Sequence, residues 1–302
     1  MRLHSVRAAV LAVTGLLALF AFTPVVSGQE KAKDEARYRF TKGEVLKYEV
    51  TSNLSISMRG SHSAFLVNGN ENPLSWTVNG LFENTVLDVN AADGAATLER
   101  KVRTVDSHGN WNDEKFKLSW NREKDKTAPE DGKYPGLMDK FIVGMIANPV
   151  QYGVDVEGKT SLQFSEMNRL VMRRGMMTWP LKDEASWVTV EEIAVPVLHD
   201  KIKVEFKNTV IQDATRTGFK VRVVRAPASL KGADKTPGFG YEGVTFTVAG
   251  QAQAEFDMTN GRLHKLEIDL TLRLSGKGPV PEGGDGDIKG VVTYKETQVY
   301  KD

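Results

Sequence analysis

Apolar and polar residues alternate with a period of two along most of the chain from Tyr38 onward. Leu46, Tyr48 and Val50 take every second position near the start of this region, and every second residue from Leu266 to Leu274 is apolar near its end. Successive side chains of a β-strand point to opposite faces of a sheet, so this pattern predicts strands with one face in a core and the other in water. The predicted fold class is therefore mainly β, as an antiparallel curved sheet or half-barrel.

Two short turn signals mark the sharpest predicted hairpins. Asp93-Gly94 and Asn260-Gly261 each separate two alternating segments. Asn-Gly is typical of a type I′ turn, in which both central residues have positive φ. We therefore expect a two-residue type I′ turn at Asn260-Gly261.

The two ends of the alternating region resemble each other. The predicted hairpins of residues 83–105 and 207–224 have the same order of polar, β-branched and basic residues. This repetition predicts two related sheet units, 38–125 and 185–302, within one β-rich domain of residues 38–302. Short exposed hairpins also resemble one another without a common origin, so both explanations stay open.

The segment between these units has a helical spacing instead. Apolar residues recur three or four positions apart after Pro135, until Asn148-Pro149 ends the pattern. They are Leu137, Met138, Phe141, Ile142, Met145 and Ile146. A second short helix is expected at 165–172, so the sequence predicts a small helical insert at 135–175.

The same segment contains a candidate ligand groove. Six of the nine methionines lie between Met138 and Met177, and methionine is flexible enough to line an adaptable apolar site. The candidate groove residues are Met138, Phe141, Met145, Met176 and Trp179. Alternatively, these methionines fill gaps between the helical insert and a concave sheet, as methionine commonly does.

The first 28 residues have the pattern of a secretory signal peptide. Arg2 and Arg7 precede an apolar run, and Pro24 comes before a cleavage site of small residues at Val26-Ser27-Gly28. We expect an exported protein, periplasmic or extracellular, with a solvated leader at 29–37 and no stable transmembrane span after cleavage. The alternative is that the apolar run stays uncleaved as an N-terminal anchor, since its length is borderline for spanning a bilayer.

Composition excludes several classes of protein. The chain has no cysteine, so thiolate metal sites, disulfides and cysteine nucleophiles are ruled out. Its 40 basic and 39 acidic residues give a net charge of +1, and such an even balance offers no general attraction for nucleic acid. No spacing typical of a metal site, a cofactor site or a catalytic motif stands in a fitting context, so we predict no catalytic residues, metal or cofactor.

Five segments spread over the chain carry a resemblance to known proteins: Tyr38–Glu44 leading into Tyr48, Asp155–Lys159, Trp179 to Trp187, Ala254–Asp257 and Asn260–Leu263. Together they resemble a family of exported bacterial β-rich proteins of uncharacterised function. The resemblance implies an exported β-rich domain and transfers no catalytic residue.

The function expected from these patterns is a non-enzymatic binding or envelope-interaction module with an apolar groove. Its partner would be an apolar or lipid-like ligand, or an envelope protein. Two alternatives stay open: a carbohydrate-directed hydrolase that uses two carboxylates, and a structural scaffold that associates through its edge strands.

Overall fold

Eleven β-strands form one antiparallel sheet in the part of the chain that the computed structural model describes. The described residues are 35–60, 74–111, 113–125, 146, 149–161, 178–194, 201–216, 219–230, 245–279 and 285–302. The strands are β1 (Val45–Gly60), β2 (Leu74–Val89), β3 (Ala96–Trp111), β4 (Glu114–Asn121), β5 (Val150–Val154), β6 (Ser186–Ala194), β7 (Lys201–Arg216), β8 (Phe219–Leu230), β9 (Thr245–Asp257), β10 (Arg262–Pro279) and β11 (Asp285–Lys301). This architecture confirms the predicted mainly β class.

The first and last strands pair with each other in the middle of the sheet. β1 and β11 run antiparallel from the pair Lys47–Lys301 to the pair Gly60–Ile288. The strand order β4-β3-β2-β1-β11-β10-β9-β8-β7-β6 therefore consists of two meanders joined at this central pair. Among the described strands the two edges do not pair, so the sheet is curved but not closed into a barrel.

β5 is a short strand that lies outside this linear order. It pairs with the first residues of β3, from Ala96 to Arg100. β4 pairs with the remainder of β3, from Thr104 to Trp111. The same side of β3 thus carries two partners in succession, and β4 and β5 share one edge of the sheet.

Burial divides each long strand into two faces. On β1 the alternate residues Leu46, Tyr48, Val50, Ser52, Leu54 and Ile56 are buried, whereas the residues that alternate with them are exposed or half-buried. We call the side of the sheet to which these buried residues point the interior face. Side chains of this face from both meanders form one apolar core, as the alternation in the sequence predicts.

The β9–β10 hairpin has a different turn from the one predicted. The strands end at Asp257 and begin again at Arg262, and among the turn residues only Gly261 has a positive φ, of 67°. The Asp257 carboxylate accepts hydrogen bonds from the backbone N–H groups of Thr259 (2.8 Å) and Asn260 (3.0 Å). The type I′ prediction is wrong because this carboxylate stabilises a four-residue turn in which Asn260 keeps a negative φ.

One end of the interior face is covered by two non-strand segments, residues 35–44 and 178–182, which we call the plug. Tyr38 is the centre of the plug. Its ring packs edge-on against Phe256 of β9 with ring centroids 5.0 Å apart, and its backbone N–H donates to the Val156 carbonyl at 2.9 Å. Arg39 donates in the same way to the Gly261 carbonyl, so the plug is tied to the turns at this end of the sheet.

In the part of 135–175 that the structure describes, the predicted helical insert is not seen. Within that segment Val150–Val154 is a strand, with Tyr152 and Val154 buried on the interior face. Val150 and Val154 are β-branched and alternate with Tyr152 along the segment, which suits a strand paired with β3. The stronger helical spacing of the preceding residues concealed this alternation in the sequence. Of the predicted helices themselves, 165–172 lies outside the described residues, as does 135–148 apart from Ile146, which is buried in the core.

Residues 34–302 cluster as one compact unit. The predicted signal peptide at 1–28 lies outside the described residues, so cleavage and export stay predictions. None of the described segments is a helix with the length and hydropathy of a membrane span. The proposed duplication of 38–125 and 185–302 also stays a prediction, although strands of both units lie in the same sheet.

Candidate functional site

The interior face is the largest apolar surface that the described residues share. Along β10 the exposed fraction rises from 0% at Leu263, close to the plug, to 9% at Leu274. Ile56 and Leu74, which lie at the level of Leu272 on β1 and β2, are 2% and 3% exposed. The plug is built from described segments at one end only. On β10 the apolar side chains farthest from the plug are therefore the least covered.

A cluster of polar side chains interrupts this apolar face near its middle, on the central strand pair. Ser52 of β1 lies directly opposite Glu296 of β11, and Tyr294 and Gln298 flank Glu296 on the same face. All four residues are buried. We call these four residues the central polar cluster.

The hydrogen bonds of the central polar cluster converge on the Glu296 carboxylate. The Tyr294 hydroxyl donates to Glu296 Oε2, and the Gln298 side-chain amide donates to Glu296 Oε1. Among the described residues these contacts leave Gln298 Oε1 and Ser52 Oγ without a hydrogen-bond partner, although both atoms are buried. A buried polar atom without a partner costs free energy, so each of these two atoms calls for a physical explanation.

A second polar group on the interior face is built around Arg100 of β3. Arg100 is 1% exposed and lies opposite Asn84 of β2, with its guanidinium 5.7 Å from the centre of the Phe82 ring. Burial lowers the pKa of Arg100 to about 10, and the nearby Tyr152 opposes this shift. The Tyr152 hydroxyl in turn donates to Asn84 Oδ1 at 2.8 Å. Because the pKa of Arg100 stays far above neutrality, this group holds a positive charge inside the sheet.

Trp179 is the one predicted groove residue that the structure describes. It is 2% exposed, its indole N–H donates to Asn208 Oδ1 at 2.9 Å, and its ring packs edge-on against Phe206 at 5.2 Å. Trp179 therefore belongs to the plug and to the core beside it. Met138, Phe141, Met145 and Met176 lie outside the described residues, so the predicted groove itself stays a prediction.

Three shallow cavities lie elsewhere on the described surface. The first has a volume of about 360 Å³ and is lined by Asp88 and Asp155. Both carboxylates are occupied, because Asp88 binds Lys42 at 3.0 Å and Asp155 accepts from the backbone N–H groups of Glu157 and Lys159. These acids stabilise turns and an ion pair, so they do not form the free carboxylate pair that a hydrolase needs.

The second cavity, of about 670 Å³, contains His108 and Asp106 with Nδ1 and Oδ1 3.5 Å apart. About half of each side chain is exposed, which is typical of a solvated surface pair. His108 lies in strand β3. The third cavity, of about 470 Å³, lies beside Arg273 and Lys289 on the outer face.

Metal ligands do not assemble in the described part of the chain. No group of three or more His, Cys, Asp or Glu side chains there has the geometry to hold an ion.

Sequence reasoning missed the central polar cluster for a physical reason. Ser52 replaces one apolar residue between Val50 and Leu54, which is a common and uninformative substitution. On β11 the residues Tyr294, Glu296 and Gln298 alternate with other polar residues. The two faces of the strand therefore do not differ in polarity, and the sequence does not show which face is buried. Only the pairing with β1 shows that these three side chains point inward.

Comparison with known proteins adds little to this geometry. No family model matches the chain, and no curated protein matches it either. Among the solved structures to which the chain is similar is one described as lipid–protein interactions in lipovitellin, with a TM-score of 0.45 and 12% identity. The match covers 87% of this chain but 26% of the lipovitellin chain.

Proposed function

We propose that this protein is an exported, non-enzymatic binding module that takes an amphiphilic ligand on the interior face of its sheet. The observation that carries the proposal is an unclosed sheet whose interior face is mostly apolar and is covered by the plug at one end. Apolar ligands bind in concave sites that are mostly lined by such side chains and contain a few polar groups. The central polar cluster supplies polar groups of this kind.

The test is thermal unfolding of the protein in the presence of single-chain amphiphiles of increasing chain length, below their critical micelle concentrations. A ligand that binds only the folded state at about a hundred times its Kd adds about 2.7 kcal/mol to the free energy of unfolding. We expect a saturable rise in Tm that grows with chain length.

Two variants locate the binding surface. Leu274→Asn changes the apolar end of the interior face, where Leu274 is buried, and it should reduce the rise in Tm. Val188→Asn is the matched control, because Val188 is 53% exposed on β6 and its substitution should leave the rise unchanged. If no amphiphile raises the Tm of the unmodified protein, the proposed function is wrong.

A specific observation favours one alternative, a scaffold that associates through its edge. β6 is an edge strand of the described sheet, and Val188 and Val190 are 53% and 40% exposed on it. Exposed apolar edge strands add further strands readily. In that case light scattering would show association that rises with protein concentration and is abolished by Val190→Lys, whereas a strict monomer would eliminate this alternative.

A further inference from the structure

We propose that Ser52, Glu296 and Gln298 bind the primary ammonium group of a single-chain alkylamine whose hydrocarbon chain lies along the interior face. This inference rests on the proposed function and adds to it the chemistry of the ligand's polar end. It follows from three features of the central polar cluster: its placement, its charge and its unused hydrogen-bonding atoms.

The placement comes from strand register. Ser52 and Glu296 are directly paired across β1 and β11, and Gln298 is the next residue along the same face of β11. Side chains directly opposite each other in an antiparallel pair have their Cβ atoms about 5 Å apart. The three side chains therefore meet within the reach of one small polar group.

The cluster holds one acidic side chain, and no described cation is paired with it. Glu296 is 4% exposed, and among the described residues no lysine, arginine or histidine forms an ion pair with it. Its partners are the neutral Tyr294 hydroxyl and the neutral Gln298 amide. Buried carboxylates are normally paired with a cation, because removing a charge from water is costly. A cationic ligand would supply that missing pair.

The unused atoms determine which cation fits. Gln298 Oε1 is an acceptor without a donor, and Ser52 Oγ also has no partner. A primary ammonium has three N–H donors and no acceptor, so one donor can be directed to each of Glu296, Gln298 and Ser52. A quaternary ammonium has the charge without the donors, an alcohol has one donor without the charge, and a carboxylate or phosphate would be repelled by Glu296.

The experiment is a binding titration by calorimetry of the full chain near neutral pH. The probes are decylamine, decyltrimethylammonium, decanol and decanoate, each below its critical micelle concentration, so that only the polar end differs. Removing one charge-assisted hydrogen bond reduces affinity by roughly tenfold to a hundredfold. We expect decylamine to bind at least about tenfold more tightly than each of the other three probes.

Glu296→Gln tests the origin of this preference. The substitution keeps the size of the side chain and removes the charge, so we expect it to abolish the preference for decylamine while decanol binds as before. Glu267→Gln is the matched control, since Glu267 lies on β10 with 45% of its side chain exposed and pairs with Lys265. This control should keep the full preference.

The outcomes separate this inference from the proposed function. If no probe binds, both are wrong. If the probes bind with equal affinity, or if the preference for decylamine survives Glu296→Gln, the interior face binds chains but the central polar cluster does not recognise the ammonium. Should Glu296→Gln fail to fold, the order of the four affinities in the unmodified protein still decides, because equal or reversed affinities overturn the inference.

Discussion

Replacing Tyr38 with phenylalanine should destabilise the protein by removing one oxygen atom from the plug. The Tyr38 hydroxyl donates to the Trp179 carbonyl at 3.1 Å and accepts from the Trp179 backbone N–H at 2.9 Å. Both residues are 2% exposed. Phenylalanine keeps the ring and its contact with Phe256, so the substitution isolates the two hydrogen bonds.

The magnitude follows from the two backbone groups that lose their partner. A buried N–H or C=O without a partner costs about 1–3 kcal/mol, and there is little room for water beside the packed ring. We therefore expect Tyr38→Phe to lower the free energy of unfolding by about 2–4 kcal/mol. For a protein of this size that corresponds to a fall in Tm of very roughly 5–15 °C.

The assay is equilibrium unfolding in urea, followed by tryptophan fluorescence and, independently, by circular dichroism. Tyr300→Phe is the matched control, because the Tyr300 hydroxyl accepts from Arg262 at 2.7 Å in a half-buried position where water can replace it. We expect the control to change the free energy of unfolding by less than about 1 kcal/mol. A loss below about 1 kcal/mol for Tyr38→Phe, or an equal loss for the two variants, would refute the assignment of the plug's stability to these bonds.

Two further predictions concern the same end of the sheet. Gly158 has a φ of 82°, and a Cβ there would lie 2.5 Å from the Tyr38 ring and 2.7 Å from the Trp179 carbonyl. Gly158→Ala should therefore lower the free energy of unfolding by about 2–4 kcal/mol in urea. Gly43 has a φ of 84°, and a Cβ there would have nothing within 4 Å. Gly43→Ala should therefore lower the free energy of unfolding only through the unfavourable backbone conformation, by about 1 kcal/mol. Equal losses for the two variants would contradict the steric explanation. Burial raises the pKa of the Tyr38 and Tyr48 hydroxyls well above the ordinary value, so above about pH 10 the unfolded state loses protons that the folded state keeps. The free energy of unfolding should then fall by about 1.4 kcal/mol per pH unit for each tyrosine. Urea titrations between pH 9 and 11 measure this dependence, and the explanation is wrong if Tyr48→Phe does not make the fall with pH less steep.

The parts of the fold that could be predicted from sequence are those where polarity alternates strongly. Leu266 to Leu274 predicted β10 and its buried face, because the intervening residues are mostly charged or polar. β3 was predicted to end near Val105 but continues to Trp111. Its last residues are polar on both faces, and they are held in the strand by pairing with β4 rather than by burial.

Two of the errors, at β5 and at the central polar cluster, depend on contacts distant in the sequence, whereas the error at the β9–β10 turn depends on a local one. β5 is a strand because β3 offers it an edge, and its own five residues are too few to outweigh the helical spacing before them. The Asn260 turn depends on the carboxylate of Asp257. The central polar cluster depends on strand pairing between residues more than two hundred positions apart, so its site could not be predicted from local pattern.

That central pairing also constrains how the molecule can fold. The β1–β11 ladder joins residues 47–60 to residues 288–301, so it can form only after all intervening strands have been synthesised. The strands within each meander can pair before then. β1 and β11, however, each keep one edge without backbone hydrogen bonds until they pair with each other. Long-range pairings of this kind fold slowly. β11 therefore acts as the closing step in the assembly of the whole interior face.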